Sequence, residues 1–278
     1  MKVQSNGMGT QSVAMYLMSS IGVLPRLDHS IFVDTGLEKP NTYKALKWLI
    51  EWSTKNNGIP LTVIKQKNLY QDLMKNKGRF ASIPAFTETN GSGEVGMLKR
   101  QCTGEYKITQ VNKQIKKIQG LGKFDRYNDA EVWIGISLEE CQRVNSPKIT
   151  NFKNVFPFCN AESTKENGVN HEMNKYFDNY GITRSEIIKW MNKMGFPDVG
   201  RSSCAFCPYM SNSEWAEVKK DPKTWKKVVE LDSHIRNSTK KGVQQPIYLT
   251  DQLVPINQAY FNEAQVNAFE DCEGYCHI

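Results

Sequence analysis

Cys204-Ala205-Phe206-Cys207-Pro208 places two thiols on one tight turn, a spacing that lets both reach a single metal centre. Proline after the second cysteine is frequent in iron–sulfur loops, although the same spacing also suits zinc, a redox dithiol or chance. Further cysteines stand at Cys102, within Lys99-Arg100-Gln101-Cys102-Thr103-Gly104-Glu105-Tyr106-Lys107, and at Cys272 and Cys276 in the tail. Cys141 and Cys159 have no partner spacing and read as packed thiols. The count of seven is odd, and no export signal precedes it, which argues for metal or redox work rather than a disulfide framework. Arg100, Lys107 and Arg201 flank the cysteines. Positive charge there lowers a thiol pKa and stabilises a bound anion, while ordinary solvated cations are the alternative. His29, His171, His234 and His277 form no metal or catalytic spacing.

A second chemistry lies at the start of the chain. Ser5, Gly7, Gly9, Thr10 and Ser12 fall between a strand pattern and a helix pattern, so backbone N–H groups and hydroxyls can converge on a phosphate at the helix N-terminus. Short glycine turns of this kind also serve structure alone. Asp34-Thr35-Gly36 ends the next strand pattern, beside the crevice where open α/β sheets bind ligands.

The elements that must position these residues are legible as periods. Strands are expected at Lys2 to Gln4, Ser30 to Val33, Leu61 to Lys65 and Val132 to Ile136, alternating with helices through Val13, Tyr16 and Leu17 and from Thr42 to Trp52. Such alternation implies an open, mostly parallel twisted sheet with helices on both faces. Gly91-Ser92-Gly93 marks an exposed loop, and Tyr106 to Ile118 a basic amphipathic helix. Ser146 to Asn170 shows no period and is expected to be loop. Thr183-Arg184-Ser185-Glu186 is a capping box before Ile187, Trp190, Met191 and Met194, and Ser211 to Glu214 repeats it. Asp221-Pro222 starts a helix toward Arg236. The expected organisation is a nucleotide-binding α/β domain over 1–145 and a helical, cysteine-bearing region over 146–278.

Composition is that of an ordinary globular chain, with 39% hydrophobic and 23% charged residues. A net charge of +7 favours a polyanionic partner such as nucleic acid, or simply a solvated lysine-rich surface. No stretch approaches the about 18 apolar residues of a membrane span, so no membrane association and a cytoplasmic location are expected.

The Ser5 turn, followed by Asp34-Thr35-Gly36 and Pro40-Asn41-Thr42-Tyr43, resembles the paired nucleotide-binding segments of the phosphoadenosine phosphosulfate (PAPS) reductase family and its pyrophosphate-loop relatives. That resemblance implies an adenine nucleotide alpha hydrolase-like fold, with Ser5, Gly7, Gly9, Thr10, Gln11 and Ser12 at the phosphates and Asp34, Thr35 and Gly36 at the nucleoside. Gln11 stands where ATP-cleaving members carry Asp. The Lys99 to Lys107 segment is similar to the Lys-Arg-Cys-Cys segment of cluster-containing reductases, with Gln101 replacing the first Cys. This implies Cys102, Cys204 and Cys207 as ligands of a four-iron, four-sulfur cluster, and leaves the fourth among Cys272, Cys276, a substrate sulfur or an exchangeable site.

Asp271-Cys272-Glu273-Gly274 is loosely like the Glu-Cys-Gly ending of the reductases, which makes Cys272 a candidate nucleophile and Cys276 a resolving thiol or ligand, with Lys107 and Arg201 beside the chemistry. Glu139 and Arg143 resemble a Glu-x-x-x-Arg segment of phage and bacterial relatives, or form a surface ion pair. The family implies an ATP-binding enzyme, with Mg²⁺ if ATP is cleaved, that thiolates a nucleic-acid acceptor, DNA or transfer RNA, using a cysteine desulfurase as donor. Its alternative is a reductase of PAPS or adenosine phosphosulfate (APS) served by a thioredoxin-like partner. A zinc-stabilised, non-catalytic binding module is the reading from another class.

Overall fold

The computed structural model describes residues 1–75, 83–89, 94–144, 149–159, 181–236 and 245–261. Its centre is a five-stranded sheet of β1 (Lys2–Asn6), β2 (His29–Val33), β3 (Leu61–Ile64), β6 (Ala130–Ile134) and β7 (Phe152–Val155). The order is β3-β2-β1-β6-β7, and every pairing is parallel. Parallel neighbours need crossovers, and α1 (Thr10–Ser20) and α2 (Pro40–Lys55) supply the first two.

Alternation along the strands sorts their side chains between two cores. Val3, Ile31, Val33, Val132 and Ile134 face one cluster together with Val111 and Ile115 of α4 (Thr109–Ile118). Phe32 and Trp133 face the other, with Val13, Leu17, Leu46 and Leu49 of α1 and α2. Helices therefore cover both faces of the sheet, which is an α/β architecture. Each such buried aliphatic or aromatic side chain stabilises the fold by roughly 1.5–3 kcal/mol. Among the described residues no helix is long and apolar enough to cross a membrane.

The segment expected to be loop from Ser146 instead contains β7, which pairs with β6 from Ala130↔Phe152 to Trp133↔Val155. At four residues it is too short, and Phe-Lys-Asn-Val too mixed, to stand out as a period. The sheet thus continues past the expected boundary at 145. Beyond it, α5 (Arg184–Lys193) sends Ile187 and Met191 into the α1 core.

A third cluster joins α3 (Leu69–Met74) to α6 (Asn212–Lys219) and α7 (Pro222–Arg236). A small antiparallel sheet, β5 (Val95–Met97), β4 (Phe86–Glu88) and β8 (Ile247–Tyr248), adjoins it. The capping boxes at Thr183 and Ser211 are both formed. The helix expected from Tyr106 begins earlier, as a π-helical turn over Thr103–Ile108 that runs into α4. Gly91 to Gly93 lie outside the described residues.

Candidate functional site

Strand order reverses at β1, from which the chain fills one side as β2 and β3 and the other as β6 and β7. The carboxyl ends of β1, β2 and β6 therefore open on one crevice. The loop after β2 is held by its own side chains. Asp34 Oδ1 accepts from Gly36 N at 2.8 Å and from the Tyr43 hydroxyl at 2.9 Å. Burial raises the Tyr43 pKa, which keeps its phenol protonated as that donor. Gly36 has φ +99, and a Cβ there would lie 2.0 Å from Asn68 Oδ1, so this position requires glycine.

The cysteine turn is stitched to the same loop. Ala205 N donates to Leu37 O at 2.9 Å and Lys39 N to Ser203 O at 3.0 Å, framing an antiparallel bridge between Glu38 and Cys204. Cys204 Sγ lies 3.0 Å from Thr35 Oγ1, which also donates to Glu38 Oε1 at 2.7 Å. Glu38 is 1% exposed. Lys107 Nζ, reaching in from the π turn, stands 4.0 Å from Glu38 Oε1. Burial first, then the Glu38 charge, push the Cys204 thiol well above its ordinary pKa, with Lys107 pulling the other way and Cys102 close enough to interact electrostatically. Cys207 N donates to Cys204 O at 3.1 Å, and Cys102, Cys204 and Cys207 all pack against the third core cluster.

These thiols suit a cation in part. Glu38 Oε2 is buried with no hydrogen-bond partner among the described residues, and a carboxylate beside a thiol is a donor set that a metal would satisfy once the thiol gives up its proton. No three Cys, His, Asp or Glu side chains gather as a metal-binding group among the described residues, however. Cys272 and Cys276 lie outside them, as do His171 and His277.

The β1–α1 turn is more enclosed than its sequence suggests. Thr10 N donates to Gly200 O at 3.0 Å, and its hydroxyl to Gly200 O at 3.1 Å and Asp198 Oδ1 at 3.3 Å. A Cβ on Gly9 would meet Ser202 Oγ at 3.1 Å, so that glycine admits the 198–203 segment. Gln11 Nε2 donates to Glu140 Oε2 at 3.0 Å and lies 3.4 Å from Ser137 Oγ. Ser12 O accepts from Gln4 at 2.6 Å. Ser5 and Gly7 differ: with Asn6, Val33 and Lys107 they line a narrow crevice between β1, β2 and the π turn. Thr10 and Gln11, expected at the phosphates with the rest of the turn, here place their polar groups in bonds within the protein.

After β6, the Glu139–Arg143 ion pair is corrected, while Cys141 and Cys159 are packed thiols as expected. Arg143 is 4% exposed and pairs with Glu140 at 2.9 Å rather than with Glu139. Glu139 instead accepts from Arg184 N at 2.9 and 3.1 Å, at the start of α5. Cys141 and Cys159, which lack any sequence spacing, become buried neighbours. The hydrogen bond between their side chains, then burial, raises the Cys159 pKa.

Glu38, Lys39 and Glu214 escaped the sequence reading. Glu214 Oε1 is 2.5 Å from Lys39 Nζ and its Oε2 3.0 Å from Arg201, so Arg201 faces a carboxylate rather than the cysteine turn alone. The available signal was indirect, since Glu38 and Lys39 lie within the Asp34 to Tyr43 segment and Glu214 closes a capping box. No family model, curated protein or solved structure matches this chain.

Proposed function

We propose that this protein is an enzyme of the PAPS reductase type that binds an adenine nucleotide at the carboxyl edge of its parallel sheet and works on sulfur there. The observation that carries this reading is the attachment of the Cys204 turn to the loop after β2, with Cys204 Sγ 3.0 Å from Thr35 Oγ1. A thiol fixed beside the ligand crevice of an open α/β sheet sits where sulfur and nucleotide chemistry must meet. Ser5 and Gly7 would border the phosphates, Asp34 to Gly36 the nucleoside, and Lys107 would hold positive charge between them. Cys102, Cys204 and Cys207, with a tail cysteine, are the residues that would hold an iron–sulfur cluster, which supplies sulfur or electrons when bound. The acceptor in this reading is a nucleic acid, and the sulfur donor a cysteine desulfurase.

Anaerobically purified protein, given ATP, Mg²⁺, nucleic acid and a sulfur donor, is expected to release pyrophosphate or AMP and to contain iron and acid-labile sulfide. Release of neither product refutes the reading. Zinc without iron or sulfide supports a binding module instead.

A second reading follows from Gln11, whose amide bonds to Glu140 in place of a metal-binding carboxylate. An enzyme that binds a nucleotide without cleaving ATP fits that contact, and the sulfonucleotide reductase is such an enzyme. It predicts sulfite release from PAPS or APS with a thioredoxin-like reductant, lost in Cys272→Ser.

A further inference from the structure

Helix α4 and the loop that follows it form a surface that neither the crevice nor the cysteine turn uses. From Tyr106 to Phe124 the chain has no Asp or Glu. α4 turns Val111 and Ile115 onto the sheet, so Lys113 and Lys117, one helical turn apart, stand together on its exposed side. Lys123 and Arg126 are exposed on the loop. Over residues 113–129, Lys113, Lys116, Lys117, Lys123 and Arg126 are opposed by Asp125 and Asp129 alone, an excess of three positive charges. None of these five cations forms an ion pair among the described residues. Glu131, the next carboxylate along the chain, turns to the other face of the sheet, where it accepts from Trp133 Nε1 at 2.9 Å.

Phe124 stands among these cations at 90% exposure, the highest of any large hydrophobic side chain among the described residues. Lys123 Nζ lies 5.3 Å from its ring centroid. The loop beneath is fastened at several points. Gln119 exchanges two hydrogen bonds with the Asn128 backbone, at 3.0 and 3.2 Å, and Lys116 Nζ donates to Lys123 O at 2.7 Å. Asp125 Oδ2 accepts from Gly122 N at 2.5 Å, and the Tyr127 ring packs edge-on against Phe152 of β7. An aromatic ring held in solvent by a folded loop loses little conformational freedom when something covers it.

We propose that this surface binds a nucleic-acid single strand, with Phe124 stacked on a base and Lys113, Lys117, Lys123 and Arg126 against the backbone phosphates. Every base offers a face for stacking, and a duplex keeps that face covered, so an exposed ring among cations suits a single strand. The proposal rests on the reading of the protein as an enzyme with a nucleic-acid acceptor and adds where the strand is held. α4, with ten residues, runs about 15 Å from the loop to the π turn, whose Lys107 lines the crevice. A membrane is disfavoured because the apolar side of α4 is already buried, which leaves one phenyl ring to insert. A second copy is disfavoured because two-fold pairing would set like charges against each other.

The test uses the full chain without ATP and a fluorescein-labelled single-stranded oligonucleotide, with binding followed by anisotropy across a salt series. Phe124→Ala is expected to weaken binding about fivefold or more with the salt slope unchanged, and Phe124→Trp to restore it. Lys113→Gln/Lys117→Gln is expected to flatten the slope of log K against log salt by about 1.4, at about 0.7 per lost contact on a single strand. Lys44→Gln/Lys55→Gln removes the same charge from exposed positions on α2, across the sheet, and is expected to leave affinity and slope nearly unchanged. Absence of binding by the wild type, equal losses in the two double variants, or unaltered binding by Phe124→Ala overturns the proposal.

Phosphatidylserine vesicles and sedimentation velocity form the second arm. If Phe124→Ala loses vesicle binding or dissociates a dimer while its oligonucleotide binding is unchanged, the surface serves a membrane or a second copy and the proposal falls. The melting temperature of each variant reports folding. Binding is read without turnover, so failure to cleave ATP would count against the enzymatic reading alone.

Discussion

Glu214 brings a helix cap and two cations to one carboxylate. Its Oε2 closes the capping box by accepting from Ser211 N at 3.1 Å, and its two oxygens meet Lys39 and Arg201. Burial pushes its pKa up, but the Arg201 and Lys39 cations win and hold it below the ordinary carboxylate range. Glu214→Gln is therefore expected to destabilise the fold by about 2–4 kcal/mol, because it strands the buried Lys39 ammonium. The pH dependence has a definite sign. A depressed folded pKa contributes stability that is fully present above the unfolded value near 4.5 and is lost as pH falls through the folded value. Urea melts of wild type and variant should differ fully at pH 6 and converge below about pH 4.5. A gap that widens in acid contradicts this account. Capping boxes are local, so residue types three apart reveal them in sequence. The Lys39–Glu214 pair spans 175 positions, and nothing in composition or spacing discloses it. Cys204 and Thr35 meet across a similar distance, which explains why the cysteine turn and Thr35 were each legible but their contact, and Glu38 beside it, were not.

At the scale of elements, the five parallel strands show how far periodicity reaches. β1, β2, β3 and β6 were visible because apolar runs alternate with helical patterns, whereas β4, β5 and β8 span three, three and two residues. Such segments carry no measurable period, and only their partners define them. The contact between the end of β6 and the start of α1 is similarly hidden. A Cβ on Gly135 would lie 2.9 Å from Ser12 N, 3.0 Å from Gln11 C and 3.1 Å from Gln11 O. All three are backbone atoms, which cannot rotate away as a side chain can. Gly135→Ala should displace the first turn of α1 and cost about 1–3 kcal/mol, measured as a lower urea midpoint with an unchanged m value. An unaltered midpoint would mean that strand and helix are not in contact there.

On the scale of the whole molecule, the question is whether the parallel sheet and the α6–α7 region unfold together. The segment from Asp198 to Ala205 passes between them: Val199 is buried in the α1–α2 core and Ala205 in the third cluster. Along the way Gly200 O accepts from Thr10 N, Ser203 O from Lys39 N, and Ala205 N donates to Leu37 O. A short strap that enters two cores and bonds the starts of two sheet helices couples their stabilities. Loss of either core would leave buried polar groups of the strap unpaired. Unfolding is therefore expected to be a single transition, with far-UV circular dichroism and tryptophan fluorescence giving the same midpoint. The fluorescence reports on both sides of the strap, through Trp133 in the sheet and Trp215 against the third cluster. Thr10→Val keeps the side-chain shape but removes the hydroxyl bonds to Gly200 and Asp198, at a cost of about 1–2 kcal/mol. In a coupled molecule this change lowers the midpoint of both probes equally, although the substitution touches only the sheet side. Two separated transitions, or a fluorescence curve that moves without the circular dichroism curve, would show that the strap joins two independently stable units.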